Sequence, residues 1–211
     1  MFSSINTIVG SIQERLKKPL PGTSAHLITK VESKIKFSFS NATENPKKAS
    51  VLILLFPEED DIHFFLTKRT DTVEHHKGQV SLPGGTCEKN EEIYQTALRE
   101  TEEEIGVNSN QVKIIGKLTP FFTPISGFIV HPFIGWCNER PETKKQLEEV
   151  HELFTASLSD LIDDRLLKTE KWLLRGYEAK VPYFDFTGHK VWGITGAILC
   201  EFKLILKDVI N

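Results

Sequence analysis

The sequence predicts one domain of the α/β or α+β class, in which helices pack on the faces of a mixed β-sheet. Two patterns indicate this class. Short apolar runs with strand-like composition recur from residue 50 onward and are separated by turn-forming residues. Apolar residues at helical spacing mark two main helices, one ending near residue 105 and one spanning 192–206. Because 211 residues can bury a full core, a single domain over residues 1–211 is the simplest expectation.

Residues 1–48 are expected to form a helix and a peripheral segment outside a core region at 49–211. Apolar residues at helical spacing across 2–18 predict an amphipathic helix that is stopped by the prolines and glycine following it. Its apolar face is expected to pack on the same domain or on a second subunit, so a homodimer is conceivable. The rest of this segment gives little signal apart from a short strand predicted at 35–39.

From residue 50 onward the elements are predicted in chain order. The run at 50–56 is apolar without alternation, as expected of a strand buried on both faces. An acidic turn at 57–61 then leads into a partner strand at 62–68. Further strands are predicted at 111–118, 127–137, 149–154, 172–175 and 181–186. A short helix is predicted at 157–163 before the long C-terminal helix at 192–206.

Composition and cysteine usage exclude several classes of protein. The formal net charge of −3 argues against non-specific nucleic-acid binding, which requires a basic excess. No stretch approaches the roughly 20 apolar residues of a membrane span, and the first residues lack the basic and then apolar run typical of a secretory signal. The three cysteines are widely spaced and form neither a zinc pattern nor a disulfide framework. We therefore expect a cytoplasmic protein that binds neither nucleic acid nor membrane.

The most informative segment is an acidic cluster formed by Glu100, Glu103 and Glu104. At i, i+3 and i+4 of a helix these carboxylates share one face, where like charges cost about 0.2–0.5 kcal/mol per pair. One interpretation is a solvated acidic face. The other is a site for a hard divalent cation, because such cations prefer oxygen ligands.

Helical periodicity favours a site at the edge of a cleft. At about 100° per residue, one arc of the helix is apolar and would face the core. Glu100 and Glu104 flank this arc, and Glu103 lies beyond them. Asn90 is expected to cap the helix, with Glu91 and Glu92 in the first turn, where their charge complements the helix dipole. The apolar arc consists of Ala97, Leu98, Thr101 and Ile105.

The residues around this helix resemble the signature of the Nudix hydrolases, G-x5-E-x7-R-E-U-x-E-E-x-G-U, where U is a bulky aliphatic residue. The fixed positions are occupied by Gly85, Glu91, Arg99, Glu100, Glu103, Glu104, Gly106 and Val107, with Thr101 at the first U. The resemblance implies an α/β/α sandwich that hydrolyses a diphosphate bond with Mg²⁺ or Mn²⁺. In that family no protein nucleophile is needed, since positioning and charge stabilisation suffice.

The resemblance also implies roles for individual residues. The metal ligands would be the three clustered glutamates and the backbone carbonyl of Gly84. Glu100 and Glu103 would be catalytic together with Arg99, which pairs with the carboxylates and orients them; an ordinary surface ion pair is the alternative for Arg99. Glu103 would be a third ligand or part of the base system. A base from a later loop is also common in the family, and the candidates by sequence position are Glu148, Glu149 and Glu152.

Upstream residues resemble the coenzyme A pyrophosphatase subfamily, whose signature is L-L-T-x-R-[SA]-x3-R-x3-G-x3-F-P-G-G. Seven positions match, which are Leu66, Thr67, Arg69, Gly78, Pro83, Gly84 and Gly85. Four positions differ, which are Phe65, Thr70, Glu74 and Leu82. The expected substrate-binding residues are Arg69, Lys68, His76, Lys77 and Gly85.

If the subfamily resemblance holds, the substrate is a nucleotide-containing small molecule, coenzyme A or an acyl derivative. The products would be 3′,5′-ADP and 4′-phosphopantetheine, or its acyl form. Glu74 reverses the charge of a signature arginine, so another nucleoside diphosphate conjugate stays open, such as ADP-ribose, a nucleotide sugar or a dinucleotide. A domain that binds a nucleotide as a sensor without hydrolysing it is a further alternative.

Overall fold

A computed structural model describes residues 2–33, 46–70, 79–124, 126–174 and 176–210. The helices are α1 (Phe2–Leu16), α2 (Thr23–Ile28), α3 (Ile93–Ile105), α4 (Leu158–Ile162) and α5 (Gly193–Ile210). The first six strands are β1 (Glu32–Ser33), β2 (Lys47–Glu58), β3 (Asp61–Arg69), β4 (Val80–Ser81), β5 (Gly84–Thr86) and β6 (Lys113–Lys117). The others are β7 (Phe121–Thr123), β8 (Phe128–Trp136), β9 (Val150–Ser157), β10 (Leu167–Leu174), β11 (Tyr177–Phe186) and β12 (His189–Trp192).

The helices and strands predicted from residue 50 onward are present with shifted ends. The helix predicted at 2–18 is α1. The strand predicted at 35–39 lies outside the described residues. Helix α2 and the short strands β1, β4, β5, β7 and β12 were not predicted, because two to six residues are too few to show a periodic pattern.

The central sheet is mixed and has eight strands. Its main path runs β4-β3-β2-β8-β6, while β5 pairs with β2, β7 with β8, and β9 with β3. The β2–β8 pair is parallel and the other pairs are antiparallel. This places β2 at the centre, with the glycine-containing β5 beside its first half.

Strand β2 is buried on both faces, as its continuous apolar run predicts. Leu52, Leu54 and Phe56 contact the cluster that includes α3 residues. Ile53 and Leu55 alternate with them and belong to the larger cluster that includes α1, α4 and α5 residues. The sheet therefore lies between α3 on one side and the other long helices on the second side. The α/β/α sandwich expected from the resemblance is confirmed.

A second, four-stranded antiparallel sheet contains the later part of the chain. Its order is β1-β11-β10, with β12 paired to β11. Strand β12 contacts both α5 and β4, so this sheet lies beside the edge of the central sheet that leads into β5. The sequence predicts strands here but does not predict that they leave the central sheet.

The amphipathic helix α1 packs within its own chain. Ile5, Val9 and Ile12 are buried, and the helix contacts α5 and β6. At Gly116 of β6, an added Cβ would lie 2.6 Å from Leu16 Cδ1, so the helix end approaches the sheet closely. The apolar face that prompted the expectation of a homodimer is therefore covered by the same chain.

Glu201 of α5 is fully buried and joins three parts of the fold. Its carboxylate accepts hydrogen bonds from Gly22 N at 2.9 Å, Thr119 N at 3.1 Å and Thr119 Oγ1 at 2.6 Å. His26 Nε2 of α2 lies 3.2 Å from Oε2 of the carboxylate, the oxygen that also accepts from Thr119 N. Burial raises the pKa of the Glu201 carboxyl, but the hydrogen bonds from His26, Thr119 and Gly22 outweigh burial, so the pKa is lowered overall.

We expect Glu201→Ala to lower the free energy of unfolding by about 3 kcal/mol or more, since several buried donors lose their acceptor. For a chain of this size that corresponds to a fall in Tm of roughly 6–12 °C. Because the folded-state pKa is lowered, the stabilisation is present above the unfolded-state pKa of about 4.3 and is lost as the pH falls through the folded-state pKa. Thermal unfolding at pH 7 and below pH 4 checks both statements, with exposed Glu178→Ala as the control. If Glu201→Ala and the unmodified protein had equal Tm values at pH 7, the stabilising role of Glu201 would be contradicted.

In the part of the chain that the structure describes, none of the helices combines the length and the apolar character needed to cross a bilayer.

Candidate functional site

The Gly84–Gly85 pair forms strand β5 and lies against β2. Gly84 is opposite Val51, and Gly85 is opposite Ser50. A Cβ on Gly84 would lie 2.2 Å from Ser50 O and 2.6 Å from Val51 Cα, and its φ is +153°. Only glycine fits this close approach of two backbones. The pair therefore brings bare main chain directly under helix α3.

Helix α3 begins at a cap that differs from the prediction. The N-cap residue is Glu92, whose N–H donates to Gln95 Oε1 at 3.0 Å, so the prediction of Asn90 as the cap was wrong. Asn90 instead adopts φ +68° in the preceding turn, a conformation that asparagine tolerates. The first helical turn contains no acidic residue, so placing Glu91 and Glu92 there was also wrong. The helix ends at Gly106, which has φ +75°.

The three clustered glutamates differ in exposure as the helical arc predicts. Glu104 is buried, at 6% exposure. The Glu100 side chain is 17% exposed and the Glu103 side chain 59% exposed. Glu100 and Glu104 therefore face the interior edge of the cleft, and Glu103 lies at its rim.

Glu100 and Glu104 are held against the glycine pair. Gly84 N donates to Glu104 Oε2 at 3.3 Å. A Cβ on Gly85 would lie 2.4–2.5 Å from the atoms of the Glu100 carboxyl group, so the absence of a side chain at Gly85 makes room for this group. Gly85 therefore leaves room for the Glu100 carboxyl group. Its contact with substrate stays a prediction.

Burial makes both carboxylates energetically costly as anions. It raises the pKa of Glu104 to about 8. The hydrogen bond from Gly84 N and the charge of Arg69 oppose this rise, and the nearby charges of Glu100 and Glu149 add to it less strongly. Burial likewise raises the pKa of Glu100, and a hydrogen bond from Arg99 partly opposes the rise. A cation between the two carboxylates would relieve this cost.

Arg99 holds the acidic face together from the solvent side. Its Nε donates to Glu91 Oε1 at 2.9 Å and its Nη2 to Glu91 Oε2 at 3.2 Å. Its Nη1 donates to Glu100 Oε1 at 2.9 Å and to Glu103 Oε2 at 3.0 Å. A further bond runs from Nη2 to Thr86 O at 3.2 Å. Because one guanidinium contacts three carboxylates and β5, this is more than an ordinary surface ion pair.

Glu91 binds and positions Arg99; it does not serve to complement the helix dipole. Its carboxylate also accepts hydrogen bonds from Thr96 Oγ1 at 2.6 Å and from Glu88 N at 3.1 Å. The hydrogen bond from Arg99, followed by the one from Thr96, lowers the pKa of Glu91 to about 2. The carboxylate is therefore ionised at every pH at which the protein would work.

Replacing Glu91 with glutamine is expected to reduce kcat by roughly 10–100-fold, because groups that orient metal ligands typically contribute that much. The amide cannot accept the bidentate contact of Arg99, so Arg99 would no longer hold Glu100 in place. Steady-state kinetics check the effect, and the exposed Glu102→Gln on the same helix is the control. A kcat equal to that of the unmodified protein would show that Arg99 needs no anchor.

The donors at this site fit a hard divalent cation. They are carboxylate and backbone oxygens without nitrogen or sulfur, the set that Mg²⁺ and Mn²⁺ prefer. Within residues 2–33, 46–70, 79–124, 126–174 and 176–210, no three acidic, histidine or cysteine side chains are already gathered for coordination. Arg99 engages one oxygen each of Glu100 and Glu103. To bind an ion, each of these carboxylates must therefore use its other oxygen or release the guanidinium of Arg99.

The predicted substrate-binding residues are separated by the structure. Arg69 ends β3 on the side of α3, where its charge acts on Glu104. Its Nε is buried and has no hydrogen-bond partner among the described residues. Lys68 lies opposite Glu152 in the β3–β9 register. Its side chain points to the other face of the sheet, which it shares with Leu66. His76 and Lys77 lie outside the described residues.

Among the three candidates for a later-loop base, Glu149 is the one that the fold brings to the cluster. Its charge raises the pKa of both Glu100 and Glu104. Glu152 instead lies 3.4 Å from His189 Nε2 at the second sheet. The sequence gives no signal for this choice, since it depends on how the loop before β9 docks on α3.

Comparison with known proteins shows the family to which the chain belongs. A model of the NUDIX domain matches residues 46–177, which include the strands and the helix that build the site. Nudix hydrolase 15, mitochondrial, from Arabidopsis thaliana is 36% identical over 162 residues, which is 73% of this chain and 56% of the plant protein. The chain thus spans about half the length of that relative.

A human relative and a solved structure complete the comparison. Mitochondrial coenzyme A diphosphatase NUDT8 from Homo sapiens is 32% identical over 165 residues, covering 76% of this chain and 70% of the human protein. A Caenorhabditis elegans Ap4A hydrolase structure aligns with a TM-score of 0.46 and 21% identity, over 55% of this chain and 83% of that one. On the family model and the sequence relatives, the chain belongs to the Nudix hydrolase family.

Proposed function

We propose that this protein hydrolyses the diphosphate bond of coenzyme A or an acyl-coenzyme A, releasing 3′,5′-ADP and 4′-phosphopantetheine or its acyl form. The observation that carries the proposed chemistry is the placement of the partly buried Glu100 and buried Glu104 carboxylates over Gly84 and Gly85. The upstream signature, with Arg69 beside the site, and the human relative named as a coenzyme A diphosphatase support the substrate.

The proposed Mg²⁺ or Mn²⁺ ion would be held by Glu100, Glu104 and the carbonyl of Gly84, with Glu103 as a third carboxylate. Bound there, such an ion neutralises the diphosphate and lowers the pKa of an attacking water. The carboxylates cannot do this alone, since they would repel the negatively charged substrate.

The chain's own residues position the reactants. Arg69 lies beside the site, where its charge acts on Glu104, and a guanidinium suits the binding of a phosphate oxygen. Arg99 keeps Glu100 and Glu103 oriented from outside. Glu149 is our candidate for the general base, because its charge acts on both Glu100 and Glu104.

The proposed reaction is a direct hydrolysis by one water molecule. The water oxygen forms a bond to one phosphorus atom while the bond from that phosphorus to the bridging oxygen breaks. The water proton passes to the Glu149 carboxylate and then to solvent, and the bridging oxygen leaves on the second phosphate. Both products are phosphate monoesters, and no covalent enzyme intermediate is required.

A product-resolved substrate panel tests the proposal. The purified protein is assayed with Mg²⁺ or Mn²⁺ against coenzyme A, an acyl derivative, ADP-ribose, a reduced dinucleotide and a nucleoside triphosphate. We expect the highest kcat/KM with coenzyme A or its acyl derivative. Preference for another conjugate would overturn the substrate assignment, and turnover of none of them would favour a nucleotide sensor.

A cytoplasmic location stays a prediction. Cys87, Cys137 and Cys200 are all free, as in a reducing compartment. The names of the plant and human relatives place those two proteins in mitochondria.

A further inference from the structure

The loop before β9 is attached to the last turn of α3. Gln146 N donates to Glu104 O at 2.9 Å, and Lys144 N donates to Ile105 O at 2.8 Å. These two bonds satisfy carbonyl groups that a helix end leaves without partners. The loop therefore takes its position from the same helical turn that carries the buried Glu104.

Gly106 makes this docking feasible. A Cβ at this position would lie 2.9 Å from both Lys144 N and Lys144 O. Its φ of +75° also lies in the left-handed region that favours glycine. The helix end and the loop thus meet backbone to backbone.

The side chain of Gln146 then fixes the following turn. Its Oε1 accepts hydrogen bonds from Glu148 N at 2.7 Å and from Glu149 N at 2.9 Å. Its own carbonyl accepts from Val150 N at 2.9 Å, where β9 begins. On the far side, Thr70 N donates to Glu149 O at 3.1 Å. The main chain of Glu149 is therefore held between Gln146 and the end of β3.

We infer that Gln146 is a positioning residue, which sets the Glu149 carboxylate beside Glu100 and Glu104. Its main-chain N–H donates to the carbonyl of Glu104, a residue of the site itself, and its side-chain oxygen accepts from the main chain of the proposed base. The inference rests on the base role proposed for Glu149. Gln146 itself does not touch the reacting atoms.

A pair of variants tests this role. Gln146→Met keeps the length of the side chain but removes the acceptor, whereas Gln146→Glu keeps an acceptor oxygen. We expect Gln146→Met to lower kcat about 10-fold or more with KM changed by less than about twofold, as misplacement of a catalytic group predicts. Gln146→Glu should retain most of the activity. Leu147→Ala is the control, since Leu147 is the next residue and its side chain is 75% exposed.

Amide hydrogen exchange provides a readout that does not depend on activity. The amides of Glu148 and Glu149 should exchange faster in Gln146→Met than in the unmodified protein, while those of the core of α3 stay unchanged. If the unmodified protein hydrolyses its substrate and Gln146→Met has the same kcat, this inference alone is overturned. Equal losses in both Gln146 variants, or unchanged exchange, would also overturn it. Absence of hydrolysis by the unmodified protein would overturn the proposed function and this inference with it.

Discussion

Glu104→Gln is expected to lower kcat for diphosphate hydrolysis by about three orders of magnitude while leaving the fold intact. A metal ion supplies several kcal/mol of transition-state stabilisation, and each 1.36 kcal/mol is a factor of ten in rate. Glutamine has the shape of glutamate and can still accept the hydrogen bond from Gly84 N, but it carries no charge to hold a cation. Steady-state kinetics with saturating Mg²⁺ measure the effect.

The same substitution should not destabilise the metal-free protein. Glu104 is buried, and among the described residues its ionised form has no counter-ion within hydrogen-bonding distance, so the neutral amide removes a desolvation cost. We expect the metal-free variant to have an equal or higher Tm, by roughly 2–4 °C for each kcal/mol gained. Glu102→Gln, on the exposed side of α3, should change neither quantity. A Glu104→Gln variant that retains more than about a tenth of the original kcat would contradict the assignment of Glu104.

Gly85→Ala is expected to reduce kcat by about 100-fold with little change in stability. The new methyl group would lie 2.4–2.5 Å from the Glu100 carboxyl atoms, so the carboxylate must move. It is the flexible end of a side chain and can move at low cost, but a displacement of about 1 Å in a reacting site can lower the rate 10²-fold.

Gly84→Ala is the matched comparison one residue earlier. There the methyl group would meet the backbone of Ser50 and Val51, which cannot move independently of β2. We expect a loss of about 3 kcal/mol or more in the free energy of unfolding, and therefore a lower Tm. Kinetics and thermal unfolding of both variants distinguish the two glycines. Normal activity of Gly85→Ala would show that Glu100 need not occupy its observed position.

Helical periodicity was sufficient to predict the working face of α3. Ala97, Thr101 and Ile105 are buried as their spacing predicts, and exposure rises from Glu104 to Glu103. A local pattern predicts such a face because every residue on it is within two turns of the next. The strand at 50–56 was predictable for a similar reason, since an uninterrupted apolar run needs two apolar neighbours.

The parts that the sequence did not predict depend on contacts between distant residues. Glu91 was expected to serve the helix dipole, but the bend before the helix brings it back to Arg99. Glu149 lies more than 40 positions from Glu104, and the two residues come close because the loop before β9 docks on the end of α3 through Lys144 and Gln146. Neither contact leaves a periodic trace in the sequence.

The helix cap and the second sheet show the same limit. Asparagine is a residue type that favours N-caps, yet Asn90 is not the cap. Glu92 and Gln95 hydrogen-bond to each other instead, and the helix begins after Glu92. Strands β10, β11 and β12 have ordinary strand composition, and pairing among themselves rather than with β3 or β8 is decided by tertiary packing.

Binding of Mn²⁺ measured by electron paramagnetic resonance tests the central claim most directly. The unmodified protein is titrated with Mn²⁺ without substrate, in parallel with Glu104→Gln and Glu102→Gln. We predict that Glu104→Gln weakens binding by about 10-fold or more, while Glu102→Gln binds as the unmodified protein does. Equal Mn²⁺ affinity in all three proteins would contradict a cation site on the buried carboxylates of α3.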